Sequence, residues 1–245
     1  MTKDKREIII KTKDQIQKIK DSGKFLTEVL CLLQEKTKSG ISLLELEEIA
    51  ENYMKQNKIK AFKYHFPANL CLSVNDCVVH IPDEYILKND LLKIDCGVDY
   101  QISDSAISIV IGELANPQYE LIQATKKALD EGVKKIKPYK KLFDYSNTVN
   151  IISEAGFSVI KNLTHGVGKF VHEAPYIYNF GHNNMKQISF KPGMVIALEP
   201  ITAISSETTI EKSNHWNLYT QNGDFAQREY TVLVTEDNEI ISGIQ

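Results

Sequence analysis

IDCGVDYQISD, residues 94–104, joins two β-prone runs, LLKIDCGV (91–98) and QISDSAISIVIG (101–112), across a connection short enough to make them arms of one hairpin. Setting Asp95 across from Asp104 pairs Val98 with Gln101 and leaves Asp99 and Tyr100 as the turn. Both carboxylates then share one sheet face with Cβ atoms roughly 5 Å apart, which suits two side chains reaching neighbouring cations. The bland alternative is a pair of aspartates ending strands at a solvated edge.

Three further motifs bear on that choice. LTHGVGKFVHE (163–173) carries His165 and His172, KPGMVIALEP (191–200) carries Glu199, and FAQREYTVLVT (225–235) carries Glu229. Four carboxylates and one imidazole converging without cations would suffer severe like-charge repulsion, whereas two divalent ions cancel the four charges and hold a hydroxide between them. Asp95, Asp104, His165, Glu199 and Glu229 therefore read as a two-metal hydrolytic centre. Gly166 and Gly168 allow close backbone approach, so that of the two histidines one can bind metal while the other faces substrate. Alternatives stand beside each motif: a structural histidine, a Glu199–lysine pair in an apolar strand, and a surface pair of Glu229 with Arg228.

Outward from the hairpin, helices are predicted from Thr12 to near Gly40 and from Ser42 to about Asn57, each opened by a capping-box pattern, Thr12–Gln15 and Ser42–Glu45. Residues 70–80 read as a strand. Beyond Pro117, helices are predicted near 118–136 and 141–155, and strands near 157–162, 194–202 and 227–235. This is a weak duplication of a helix-helix-strand order, with pseudo-halves at about 12–113 and 117–236. It predicts one α+β domain spanning 1–245, its sheets forming one curved surface covered by helices and its site between the halves.

The chain has 245 residues, 42% of them hydrophobic, enough for a substantial core. A net charge of −3 gives no global case for a specific nucleic-acid partner or an anionic membrane. Cys31, Cys71, Cys77 and Cys96 form no CxxC pair and read as reduced thiols. The amino terminus lacks the apolar run of a signal peptide, so a cytoplasmic monomer is the expectation. Lys134, Lys135, Lys137, Lys140 and Lys141 cluster around Pro138, which an ordinary solvated helix end explains.

SVNDCVVHIP (73–82, ending its pattern at His80), HGVGKFVHE, KPGMVIALEP and AQREYT resemble, in order and spacing, the motifs of type I methionine aminopeptidases of the pita-bread metallopeptidase family. The resemblance implies the pita-bread fold and removal of methionine from peptide or nascent-protein N-termini, and with work on nascent chains it implies a transient contact of the lysines around Pro138 with ribosomal RNA. It implies that Asp104 and Glu229 bridge two ions, that Asp95 completes one site, and that His165 and Glu199 complete the other. The ions would be Co, Mn, Fe or Zn, since one imidazole among carboxylates suits all four. Glu199 would relay the proton, His172 would stabilise the developing oxyanion, and His80 would contact the scissile amide. The methionine pocket maps to Phe66, Cys71 and Trp216, with Tyr64 and Val171 nearby. Departures are an aspartate spacing of nine, two shorter than the family pattern, Ile81 where a glycine usually follows the first histidine, Thr164 for a glycine, and Tyr230 for a histidine. An X-Pro peptidase of the same fold and a non-catalytic binding module are the rival readings.

Overall fold

The Thr12 hydroxyl accepts a hydrogen bond from Gln15 N and the Gln15 side-chain oxygen accepts one from Thr12 N, and this capping box opens helix α1, Lys13–Lys36. The computed structural model describes residues 7–62, 66–99, 101–160, 163–179, 183–205, 207–211 and 217–245, with the backbone alone at 149, 163 and 184. One face of α1 buries Ile19, Leu26, Val29, Leu30 and Leu33. Gly23 lets it lie against Ile241, whose carbonyl oxygen would stand 2.6 Å from any added Cβ. Helix α2, Leu43–Gln56, opens on the Ser42–Glu45 box as predicted. Its Glu47 accepts from the backbone of Asn69 and Leu70 at 2.6 and 3.0 Å, fixing the chain where the first strand begins.

The run 70–80 is two strands rather than one, β1 (Cys71–Val74) and β2 (Cys77–Val79). Asn75 breaks it with a positive φ of 55°, a conformation asparagine tolerates, while its side chain donates to Asp90 and accepts from Leu91 N. Strands β3 (Asp90–Val98) and β4 (Ser103–Ile111) form the expected hairpin in a different register. Val98 pairs with Ser103, Gly97 with Asp104 and Asp95 with Ala106, so the connection is residues 99–102 and not Asp99 and Tyr100 alone. The register moved by an even number of residues, and both aspartates keep to one face. They are diagonal neighbours instead of directly opposed.

Helix α3 runs Asn116–Lys135 with Pro117 in its first turn. The helix expected over 141–155 is interrupted: α4 (Leu142–Ser146), a 3-10 turn (Asn147–Val149) and α5 (Asn150–Glu154) follow one another. Ser146 and Thr148 hydroxyls donate to the carbonyls of Phe143 and Tyr145, the local competition that distorts helices. Later strands are β5 (Ser158–Val159), β6 (Leu163–Gly166), β7 (Glu173–Tyr178), β8 (Val195–Leu198), β9 (Ile201–Ala203), β10 (Thr209–Glu211), β11 (Leu218–Thr220), β12 (Phe225–Gln227), β13 (Tyr230–Leu233) and β14 (Glu239–Ser242). The mixture of helices and antiparallel sheets is the predicted α+β class. Among the described residues the backbone ladders form four sheets, ordered β1-β3-β4, β10-β11-β2, β12-β9-β5 and β14-β13-β8-β6-β7, rather than one.

Side chains stitch these sheets together at the position that matters. Thr231 of β13 accepts from Asp104 N at 3.0 Å and donates to Asp104 O at 2.8 Å. Glu229 N donates to Ala106 O at 3.0 Å, and Ser108 exchanges two bonds with the Gln227 backbone. One apolar core lies under α1 and α2, with Leu30, Leu46, Leu72, Ile94 and Ile107, and another joins α3 and α4 to β8 and β13 through Leu129, Tyr145, Ile196 and Val232.

Candidate metal centre

Both strands predicted over 194–202 and 227–235 are broken, and the breaks hold the functional carboxylates. Tyr230 pairs with Leu198 and Gln227 with Ile201. The same register therefore sets Glu229 across from Glu199 in the interruption, where Pro200 cannot donate to a ladder. With period two, Gln227, Glu229 and Thr231 share a face with Glu199 and Ala197. Ala197 also pairs with His165 of β6, and Thr231 holds the Asp104 backbone. One face thus collects His165, Glu199 and Glu229 beside the Asp95 and Asp104 hairpin.

Donor atoms of Asp104, His165 and Glu229 all lie within 4.8 Å of one another. His165 Nε2 stands 3.2 Å from Glu199 Oε1, and its Nδ1 is 3.1 Å from Gly166 O. Asp95 joins through Gln227, whose Nε2 donates to Asp95 Oδ2 at 3.2 Å and reaches Glu199 Oε2 at 3.5 Å. Glu229 is buried, and Arg228 turns away to donate to the Ile244 carbonyl, so the surface-pair alternative does not hold. The partner Glu199 needs is His165, not a lysine.

Burial drives the electrostatics. It raises the Asp95 carboxyl well above the ordinary range, helped by Asp104 and Glu199. It raises Asp104 to about 7 against the opposing pull of His165, and raises Glu229 strongly with the charges of Asp104, Glu199 and Asp95 adding to it. For His165 burial is the largest single influence and pushes downward, but the Glu199 hydrogen bond and the charges of Glu199 and Asp104 together lift it above its usual value. A site that resists ionising its own acids is one built for added positive charge.

A cavity of about 260 Å³ opens on Asp95 and Asp104 and is walled by Phe66, Cys71, Val171 and His172. The His172 ring meets His165 edge to face at a centroid distance of 4.5 Å. Burial and the Asp95 charge push the Cys71 thiol up to about 12, so it stays protonated and serves as soft wall rather than nucleophile. His80 is not brought into this cavity. Its Nε2 faces Asp83 at 3.3 Å, and it lines a neighbouring cavity of about 190 Å³ with Tyr85 and Tyr219. Trp216 and Tyr64 lie outside the described residues.

The profile of metallopeptidase family M24 matches residues 17–236. This chain belongs to metallopeptidase family M24. Curated relatives include a methionine aminopeptidase of Clostridium perfringens, 37% identical over 237 residues that cover 93% of this chain and 95% of the relative. Another, of Aquifex aeolicus, is 34% identical over 93% of this chain and 95% of its own length. The crystal structure of methionine aminopeptidase from Thermotoga maritima superposes with a TM-score of 0.91 at 28% identity, covering 97% of this chain and all of that one. A prolidase from Pyrococcus furiosus, at 24% identity and a TM-score of 0.77, shares the fold and extends beyond it, this chain covering 66% of its length. The architecture is thus the pita-bread fold of M24. Divalent metal belongs to that family's chemistry, and the buried, acid-rich donor set described above fits it.

Several residues around the acid cluster are not singled out by the sequence. Gln227 was quoted only as part of a motif, although its place two residues before Glu229 puts it on the same face. Thr164, noted as a departure from glycine, accepts from Glu199 N at 3.1 Å and donates to Asn179 Oδ1. Asn179 in turn donates to Glu199 O at 3.0 Å and accepts from the Tyr145 hydroxyl. Nothing in the spacing of Tyr145, Thr164 and Asn179 announces that network. No described helix is long and apolar enough to cross a membrane.

Proposed function

We propose that this M24 chain is a methionyl aminopeptidase that hydrolyses the first peptide bond of peptides and nascent proteins, with two divalent ions held by Asp95, Asp104, His165, Glu199 and Glu229. The observation that carries the reading is the convergence of Asp104, His165 and Glu229 donor atoms within 4.8 Å, with Asp95 and Glu199 joined by Gln227. Relatives at 32–37% identity that match 93–94% of the chain bear the name of that activity. When bound, the ions supply Lewis acidity and offset the four negative charges. Asp95, Asp104, His165, Glu199 and Glu229 would together hold the ions, with Asp104, His165 and Glu229 offering the donor atoms that lie closest together.

The chain's own groups divide the remaining work. Glu199, backbone-tethered by Thr164 and Asn179 with its carboxylate 15% exposed, accepts a proton at Oε and delivers it to the departing amine. His172, exposed at the mouth, donates to the substrate carbonyl oxygen. Phe66, Cys71 and Val171 close a wall around an unbranched thioether. Contact of His80 with the scissile amide requires its ring to leave Asp83. Cobalt, manganese, iron and zinc all suit the donor set, the protein works as a monomeric single domain in the cytoplasm, and the lysines around Pro138 offer a transient ribosome contact. Paired peptides test the reading: release of methionine from Met-Ala-Ser, with no cleavage of Ala-Pro-Ser, is expected, and the reverse preference would place the protein among X-Pro peptidases.

A further inference from the structure

Outside the acid cluster, one ion pair is almost wholly buried. Lys11 Nζ meets Glu173 Oε1, with side-chain exposures of 2% and 1%. A pair in that position is a costly choice, since burying two charges forfeits their hydration and an apolar pair of similar volume is often as stable. Its location suggests what it does. Glu173 directly follows His172 and pairs across the sheet with Gly166, which directly follows His165. The ion pair therefore sits at the point where the two ends of the loop 166–173 close on each other.

Other contacts at Lys11 converge on the same loop. Gly168, at φ +139°, leaves room for the lysine stem, and a Cβ there would stand 2.7 Å from Lys11 Cε. The carbonyl of Gly168 accepts from Ile102 N at 2.8 Å, which ties the β3–β4 connection to it, while Val167 N donates to Val195 O of β8. Lys11 N itself donates to Gly193 O, in the turn that starts β8 toward Glu199. Among the described residues Glu173 Oε2 is buried without a hydrogen-bond partner, so Lys11 is the group seen to fix the orientation of this carboxylate.

We propose that the Lys11–Glu173 ion pair positions His172: by pinning the residue after it from behind, it holds the imidazole over the acid cluster, 4.5 Å from His165. This rests on the role given to His172 above. Lys11 touches neither substrate nor metal in this account and acts through the loop.

The test combines Lys11→Met, Lys11→Arg and the charge-balanced double variant Lys11→Met/Glu173→Gln with His172→Gln. In metal-free protein, the His172 ring resonance in a long-range 1H–15N spectrum, assigned through its loss in His172→Gln, is expected to shift or broaden in Lys11→Met and to return in Lys11→Arg. With Met-Ala-Ser and added Mn(II), well below the unfolding temperature, Lys11→Met is expected to lower kcat about 10- to 100-fold with KM changed less than about threefold. In the His172→Gln background the same substitution is expected to add almost nothing. Should Lys11→Met fail to fold, the double variant, which leaves no buried charge unpaired, carries the same expectations. An unmoved His172 resonance, or a kcat loss that multiplies fully with that of His172→Gln, would overturn the proposal. If wild-type protein releases no methionine, the aminopeptidase reading fails, and the resonance of His172 still decides the positioning claim.

Discussion

Removing divalent ions should make the stability of this protein fall as pH rises, against the usual behaviour of carboxylates. Asp104 has its carboxyl raised from 3.8 to about 7 by burial. A carboxyl raised on folding contributes stability that is complete below its unfolded pKa and is lost as pH climbs through the folded value. For Asp104 that window runs from about pH 4 to about pH 7. Over about two of the pH units between pH 5 and pH 8 the folded protein binds nearly one proton more than the unfolded chain, which costs about 2–3 kcal/mol. At about 2–4 °C per kcal/mol for a chain of this size, Tm should drop by about 5–10 °C. Asp95, Glu229 and His165, also raised, push in the same direction. The assay is thermal unfolding in EDTA from pH 5 to pH 8.5, repeated with excess Mn(II), which should remove the downward slope because the acids are then held ionised. Asp104→Asn in EDTA should flatten the slope and leave the variant more stable than wild type at pH 8. A metal-free Tm that is level or rises between pH 5 and pH 8 would refute the electrostatic account of the cluster.

Glu199→Ala should abolish turnover of Met-Ala-Ser while leaving a folded protein, since a general acid-base group contributes about 10²–10⁴-fold, and substantial remaining metal-dependent activity in a peptide assay would remove its role. Gln227→Leu deprives Asp95 and Glu199 of their shared donor, and a metal titration followed by calorimetry should show affinity weakened about 10- to 100-fold. Thr164→Val takes the side-chain acceptor from the Glu199 N–H and one of two hydroxyl donors from Asn179 Oδ1, at a cost of about 1–3 kcal/mol, which urea denaturation can measure.

The two long N-terminal helices were legible because capping boxes and apolar periodicity agree, and the structure forms both boxes as read. The α+β class followed from the repeated element order, but the strands β6, β10, β11 and β14, of three or four residues each, did not, being too brief to carry a period of their own. The register of the β3–β4 hairpin was misjudged because turn length cannot be read from DYQI alone, while the shared face survived since parity depends only on whether the slip is even. The interruptions at Glu199 and Glu229 looked like continuous strands for the same reason: local pattern does not record where a ladder is opened to free side chains. His80 shows the limit for side chains, as its position along the chain is fixed but the direction of its ring is set by Asp83, three residues on.

Anomalous diffraction from a crystal equilibrated with Mn(II) tests the central claim most directly. Two peaks should appear within the cage formed by Asp95, Asp104, His165, Glu199 and Glu229, with Asp104 and Glu229 in contact with both. A cage without manganese, its acids satisfied by protons and by His165 alone, would contradict the account.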